Sequence, residues 1–321
     1  MPRVLVEAGS RLHAGFYHAG PGRPYLWGSA GFYASKPRVR VAAEPCPGEP
    51  PTARGPEPHA STARGALEAL GLRGVCVEVE EAPPAHVGLG STTQVSLAAA
   101  CAGLAALGRG GCGLAGVAGL ARRLGRARVS GAGTLAFALG GFVVDAGAPD
   151  PSGPRPLARL EVPGGWRYVI VVPRLPRGLG EAEEEGLLSR PWSASPEAER
   201  LMARGLLRLA AGVARADLVE ALEGLRELQL GTGMYFSRLQ GGAFRRDLQE
   251  LAGEAQRNGV VLAQSSWGPT MYTITTSQDS WGDAALLRSI LGEVGLEGEV
   301  LVAEPRNRGA TLLGGVEGEG D

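Results

Sequence analysis

The stretch "EEAPPAHVGLGSTTQVSLAAACAGLAAL", residues 80–107, constrains the fold more than any other part of the chain. It sets a glycine-rich turn (Gly88, Leu89, Gly90), then Ser91, Thr92 and Thr93, directly in front of a run of small apolar residues. The run predicts a helix over 92–107, and "GVCVEVEEA" (74–82) before it alternates as a strand does. A strand, a glycine turn and a helix start together favour an anion. Glycines let backbone N–H groups approach phosphate oxygens, and the helix N-terminus adds free donors and a positive dipole end. Ser91 and Thr92 stand where hydroxyls cap the helix or touch a phosphate. Two common phosphate motifs do not fit. GxxxxGKS/T lacks its lysine, and GxGxxG would need glycine where Thr93 stands. A capped helix without a ligand is the alternative reading of the turn taken alone.

The surrounding pattern mixes both periods. Val4–Ala8, residues 38–44, 140–147, "RLEVP" and "WRYVIVVP" read as strands, and residues 61–72 and 113–125 as helices. Further on, helices are expected near 196–213, 215–230 and 243–257. Two strands should flank a tight "SSWGP" turn, followed by a helix from "SWGDAALLRS" and a last strand at "EGEVLVAEP". The class is α+β. A domain boundary is expected near residue 165, giving segments 1–165 and 166–321.

Composition removes several functions. Net charge is −1 across 321 residues, so no basic field points to nucleic acid. No apolar run is long enough to span a bilayer, and the start has no secretory pattern, which gives the expectation of a cytoplasmic protein without a membrane partner. Lys36 is the only lysine, so a Schiff base would rest on a residue whose surroundings do not support one. Cys46, Cys76, Cys101 and Cys112 form no CxxC pair and have no histidine at ligand spacing. They read as buried or incidental thiols rather than a zinc site, with a disulfide left open.

"PAHVGLGSTTQVSLA" resembles the second motif of the GHMP kinase superfamily, PxxxGLGSS followed by a small-residue helix, which wraps nucleotide phosphates there. Pro84, Gly88, Leu89, Gly90 and Ser91 match. A second block of that superfamily, SGxD followed by GG, is met by Ser130, Gly131, Gly140 and Gly141, with Gly133 where the aspartate would stand. In kinases that use it, that aspartate accepts the substrate's hydroxyl proton. A general base contributes about 10²–10⁴-fold, and glycine cannot supply one. Four further stretches resemble a non-kinase branch, the β-ribofuranosylaminobenzene 5′-phosphate synthases: "SRLHAGFYH" (10–18), "GRARVSGAGTLAFALGGFVVDAG" (125–147), "PRGLGEAEEEGLL" (176–188) and "AQSSWGPTMYTI" (263–274). His18 departs from the first block, where an acid is common.

The resemblance implies a two-domain GHMP-kinase-like fold. Its N-terminal domain would hold a left-handed βαβ crossover, and its C-terminal domain would be ferredoxin-like, with the site between them. It implies condensation of phosphoribosyl pyrophosphate with 4-aminobenzoate or a related aryl acid to a C-riboside 5′-phosphate. CO₂ and pyrophosphate would leave, as in tetrahydromethanopterin biosynthesis, with Mg²⁺ and no organic cofactor. A GHMP-type ATP-dependent kinase and a non-catalytic GHMP-fold binding protein are the alternatives. A homodimer is compatible with either.

Candidate roles follow. Residues 88–93, with Ser130 and Gly131, would hold phosphate. Arg11 would pair with phosphate or carboxylate, or with a surface acid. His13 would move protons, or pack. Glu181 would serve as a base or metal ligand, or begin a solvated helix. Asp145 would bind Mg²⁺ or cap a turn. Ser265, Ser266, Trp267 and Gly268 would contact substrate.

Overall fold

The computed structural model describes residues 3–19, 27–46, 48, 50–110, 112–147, 150–178, 186–188 and 193–314. The first sheet contains β1 (Val4–Phe16), β2 (Ser29–Pro45), β3 (Thr52–Arg54), β4 (Val75–Glu81), β5 (Phe142–Asp145), β6 (Pro156–Leu160) and β11 (Thr311–Leu313). Its main path runs β11-β1-β2-β4-β3, and β5 joins β2 to β6. The second sheet is antiparallel, ordered β10-β7-β9-β8, from β7 (Trp166–Pro173), β8 (Ala263–Gln264), β9 (Met271–Thr276) and β10 (Gly298–Ala303). The chain therefore changes sheets between Leu160 and Trp166, and its C-terminal strand returns to pair with β1.

Helices fill three layers. α1 (His59–Ala69), α2 (Ser91–Ala106), α3 (Leu114–Arg123) and α4 (Ala132–Leu139) share a buried cluster with Val6, Val41 and Val77 on one face of the first sheet. α5 (Pro196–Arg215) and α6 (Leu218–Gln240) form a packed pair in a cluster that joins both sheets. There Phe32 of the first sheet meets Tyr168 of the second at 5.5 Å between rings. α7 (Gln249–Arg257) and α8 (Ser280–Glu293) cover the outer face of the second sheet. Strand β7 shows the alternation this requires: Tyr168 and Ile170 face the shared cluster, and Val169 and Val171 face α7 and α8.

β1 is longer than its alternation suggests. Val4, Val6 and Ala8 lie in the α1–α4 cluster, yet Leu12, Ala14 and Phe16 lie in the cluster shared by the sheets. A register shift between Ala8 and Ser10 moves the even-numbered residues from one face to the other. The expected strand stopped at Ala8 because the period breaks there. Other differences are local. Residues 132–139 are a helix that "AGTLAFAL" did not reveal, since eight residues with Thr134 as their one polar side chain carry no readable period. α6 continues to Gln240 through Gly231 and Gly233, where a side chain would strike α5 or Ala243. The expected helix over 243–257 is a 3₁₀ turn (Arg246–Leu248) followed by α7.

The cysteines are not thiols. Cys46 is bonded to Cys76, and Cys101 to Cys112, which corrects the reading of all four as unpaired. Among the described residues no helix is long and apolar enough to cross a membrane.

Candidate active site

The glycine turn is built by backbone geometry. Gly88 and Gly90 have φ of 95° and 71°, in the left-handed region that a side chain disfavours. A Cβ on Gly88 would also fall 2.3 Å from the Ser265 carbonyl oxygen. Gly90 is the N-cap of α2 and makes no side-chain cap, which leaves the first amides of the helix open toward Ser91–Thr93.

Two distant segments lock this turn. The Arg11 N–H donates to the Leu89 carbonyl at 3.1 Å, and an Arg11 guanidinium nitrogen donates to the Gly88 carbonyl at 3.3 Å. Ser265 Oγ donates to the same Gly88 oxygen at 2.6 Å while accepting the His13 N–H at 2.9 Å. One fully buried hydroxyl thus ties β1, the glycine turn and the second sheet together. Thr270 N–H to Val87 O (3.0 Å) and Gly178 N–H to His86 O (2.8 Å) complete the seam.

These contacts border a cleft with a cavity volume of about 130 Å³. Arg11, the residues from Ser91 to Thr93, and the turn Ser266–Gly268 converge on it. Among the described residues no acid lines it, and Arg11 and the N-terminal dipole of α2 give it a field suited to an anion. Gly133 lies on the same side. A Cβ there would stand 3.7 Å from Arg11 Nε and 3.7 Å from the Thr93 methyl, in ordinary contact. The position at which GHMP kinases carry an aspartate therefore faces Arg11, and this chain leaves it without a carboxylate. Gln94, missed in the sequence, fixes that position. It accepts from Tyr33 Oη at 3.1 Å and donates to the Gly133 carbonyl at 2.9 Å. A glutamine inside an otherwise small and apolar helix was the available signal.

Beyond Ser266 and Trp267 lies a second, small space with a cavity volume of about 30 Å³, bordered by His13, Phe16, Phe236 and three glutamines, Gln229, Gln240 and Gln264. The Phe236 and Trp267 rings meet edge to face at 5.0 Å, and His13 lies 4.9 Å from Phe16. Burial first, and the nearby Arg11 charge second, hold the His13 imidazole well below its usual pKa, so it is neutral at pH 7. His13, Phe16, Gln264 and Trp267 fall within stretches that the resemblance singled out, whereas no sequence signal marked Gln229, Gln240 or Phe236. These three lie on an α6 face that only the fold brings to the space.

Other expected site residues lie elsewhere. Both oxygens of Asp145 accept from protein donors: Oδ1 from Ser29 N–H (3.1 Å) and Gly147 N–H (2.9 Å), Oδ2 from Gly131 N–H (2.8 Å) and the Ser29 hydroxyl. Of its two readings, the structure displays the cap. Burial raises its pKa, and these bonds oppose the rise. Ser130 Oγ bonds Ser29 Oγ at 2.7 Å. Ser130 and Gly131 are thus part of the Asp145 hub and do not line the cleft. The Leu89 side chain is core, and only its backbone serves the turn. Ser265 is a latch behind the cleft wall. Glu181 lies outside the described residues. Among the described residues no group of three or more His, Cys, Asp or Glu side chains could hold a metal.

No family model matches the chain. Homoserine kinase from Cytophaga hutchinsonii superposes with a TM-score of 0.70 over 98% of both chains at 16% identity, which establishes a GHMP-kinase-like fold. β-Ribofuranosylphenol 5′-phosphate synthase of Methanothermobacter thermautotrophicus is 29% identical over 256 residues, 72% of this chain and 71% of that one. The Archaeoglobus fulgidus protein of the same name is 32% identical over 262 residues, 75% of this chain and 77% of its own. On that identity and coverage, the chain belongs to the β-ribofuranosylphenol 5′-phosphate synthase family.

Proposed function

We propose that the protein transfers the phosphoribosyl group of phosphoribosyl pyrophosphate to the carboxylate-bearing ring carbon of 4-hydroxybenzoate or 4-aminobenzoate, releasing pyrophosphate and CO₂. The observation that supports this best is the cleft in which Arg11, the α2 N-terminus and the Ser266–Gly268 turn converge, with no acid among its described residues. Breaking the bond from the ribose C1′ to pyrophosphate places negative charge on the departing oxygens. Oriented amides and a guanidinium stabilise that charge without reorganising. The same bond-breaking makes C1′ cation-like, and a carboxylate at position 133 would compete with the pyrophosphate for Arg11. Glycine there suits the transfer and deprives a hydroxyl phosphorylation of its base. In this reading Mg²⁺ arrives on the donor's phosphate oxygens rather than on protein carboxylates.

The test is pyrophosphate release. Purified protein with phosphoribosyl pyrophosphate and Mg²⁺ should release pyrophosphate only when an aryl acid is added. ADP formation from ATP with an alcohol, and no pyrophosphate, would support the kinase reading and refute this one. Binding of the donor without release on any aryl acid would favour a binding protein.

A further inference from the structure

We infer that the space behind Trp267 holds the uncharged para end of the aryl acceptor, with His13 taking its hydroxyl proton and the acceptor's carboxylate directed out of that space toward the cleft. This rests on the proposed reaction and assigns a site and an orientation that the reaction alone does not.

Among the described residues no Asp, Glu, Lys or Arg lines the space. A carboxylate seated there would be desolvated with no cation to pair it, at a cost of several kcal/mol. Neutral amides do not replace the cation, because they are already engaged. Gln264 Nε2 donates to Gln240 Oε1 (3.2 Å) and to Ser266 O (2.9 Å). Gln240 Nε2 donates to Gly242 O and Ala243 O, and Gln229 Nε2 to Ala243 O. Thr232 Oγ1 accepts from Phe16 N–H at 3.0 Å. The His13 imidazole differs. The residue is 4% exposed, borders the space, and its ring nitrogens make no hydrogen bond among the described residues. A buried, neutral imidazole beside an aromatic-walled space is suited to a phenol.

The strand then sets the orientation. Arg11 and His13 are two residues apart on β1, so at about 3.3 Å per residue their Cα atoms are about 6.6 Å apart. That separation is close to the length of a para-substituted benzoate. Arg11 opens onto the anion cleft, His13 onto the aromatic space, and Ser266 and Trp267 border both. A flat ring beside Trp267 would carry its carboxylate at the cleft and its para substituent at His13. The ring carbon bearing the carboxylate would then face C1′ of the donor.

The bond changes balance on these residues. The ring carbon forms a bond to C1′ as the C1′–O bond breaks, and the electron pair leaves with pyrophosphate. The para O–H proton passes to the imidazole, and the ring becomes a dienone. The bond to the carboxylate then breaks, CO₂ leaves, and its electron pair restores the aromatic ring. The imidazolium returns the proton to the oxygen. With an amino group, the nitrogen lone pair supplies the same push without prior proton loss.

Two measurements test this. The first is equilibrium binding to the wild-type protein without donor, followed by tryptophan fluorescence. 4-Hydroxybenzoate should bind at least about tenfold more tightly than terephthalate, whose second carboxylate would enter the uncharged space. Equal affinity overturns the orientation. The second compares acceptors in His13→Asn. Turnover of 4-hydroxybenzoate should fall about 10²–10⁴-fold, and that of 4-aminobenzoate far less. An equal loss with both acceptors would mean that His13 only packs. Selective binding without any CO₂ release would leave the pocket standing and refute the reaction. CO₂ release with terephthalate bound as well as 4-hydroxybenzoate would do the reverse.

Discussion

Gly133→Asp is the most informative single change. The built Cβ has no neighbour closer than 3.7 Å, and the φ lies outside the region that excludes side chains. The helical position gains a few tenths of a kcal/mol in propensity on leaving glycine. The fold should therefore tolerate it, and thermal unfolding should move by only a few degrees. The site should not. The new carboxylate would lie about 4 Å from the Arg11 guanidinium, where opposite charges interact by about 4 kcal/mol at an effective dielectric of 20. It would neutralise Arg11 and repel the donor's phosphates at comparable range. Allowing for solvent reaching the cleft, we expect the KM for phosphoribosyl pyrophosphate to rise about 10²–10³-fold, using 1.4 kcal/mol per factor of ten. Gly133→Asn, similar in shape and uncharged, should recover most of that loss. The assay is initial-rate kinetics with donor varied at saturating acceptor, beside a melting curve for each variant. A normal donor KM in a folded Gly133→Asp protein would refute the assignment of Arg11 to the donor.

Other expectations follow from single contacts. Ser265→Ala leaves the Gly88 carbonyl and the His13 N–H without their shared hydroxyl, at a cost of about 1–3 kcal/mol, readable by denaturant titration. Unchanged stability would mean the latch is not formed. The depressed pKa of His13 means that the unfolded chain binds its proton more readily than the folded one. Its contribution to stability is therefore complete above the ordinary histidine pKa of about 6.5 and is lost as pH falls below it. His13→Gln should flatten the stability–pH curve on that acid side, and a curve of unchanged slope would contradict the burial. Reducing the Cys46–Cys76 and Cys101–Cys112 bonds, which close separations of 30 and 11 residues, should cost about 3 kcal/mol each. Neither bond borders the cleft, so donor KM at a temperature well below melting should not move.

Much of the site was legible because it is written in backbone chemistry. Gly88, Gly90 and the small-residue helix behind them are recognisable wherever a turn must bring amides to an anion, and the structure places that turn as the spacing suggested. Arg11 was visible as a cation at a strand end. The rest depended on tertiary geometry. Asp145, Ser130 and Gly131 carry residue types that suit phosphate or metal, but the polar demand of Ser29 and Gly147 occupies them. Whether a carboxylate faces a ligand or a capped turn is decided by which donors surround it, which sequence spacing does not encode. Gln229, Gln240 and Phe236 were unreadable for the opposite reason. They lie on ordinary helix positions, and become a wall only because α6 packs on β1, β8 and β9. The bulge in β1 was hidden for a related cause: a face switch at Gly9 looks, in sequence, like the end of a strand.

The most direct measurement uses carboxyl-labelled 4-hydroxybenzoate or 4-aminobenzoate with Mg²⁺, with and without phosphoribosyl pyrophosphate, and counts the released CO₂. Release should require the donor, match pyrophosphate mole for mole, and fall with Arg11→Ala. Absence of donor-dependent release with either acid, from protein shown to be folded, would contradict it.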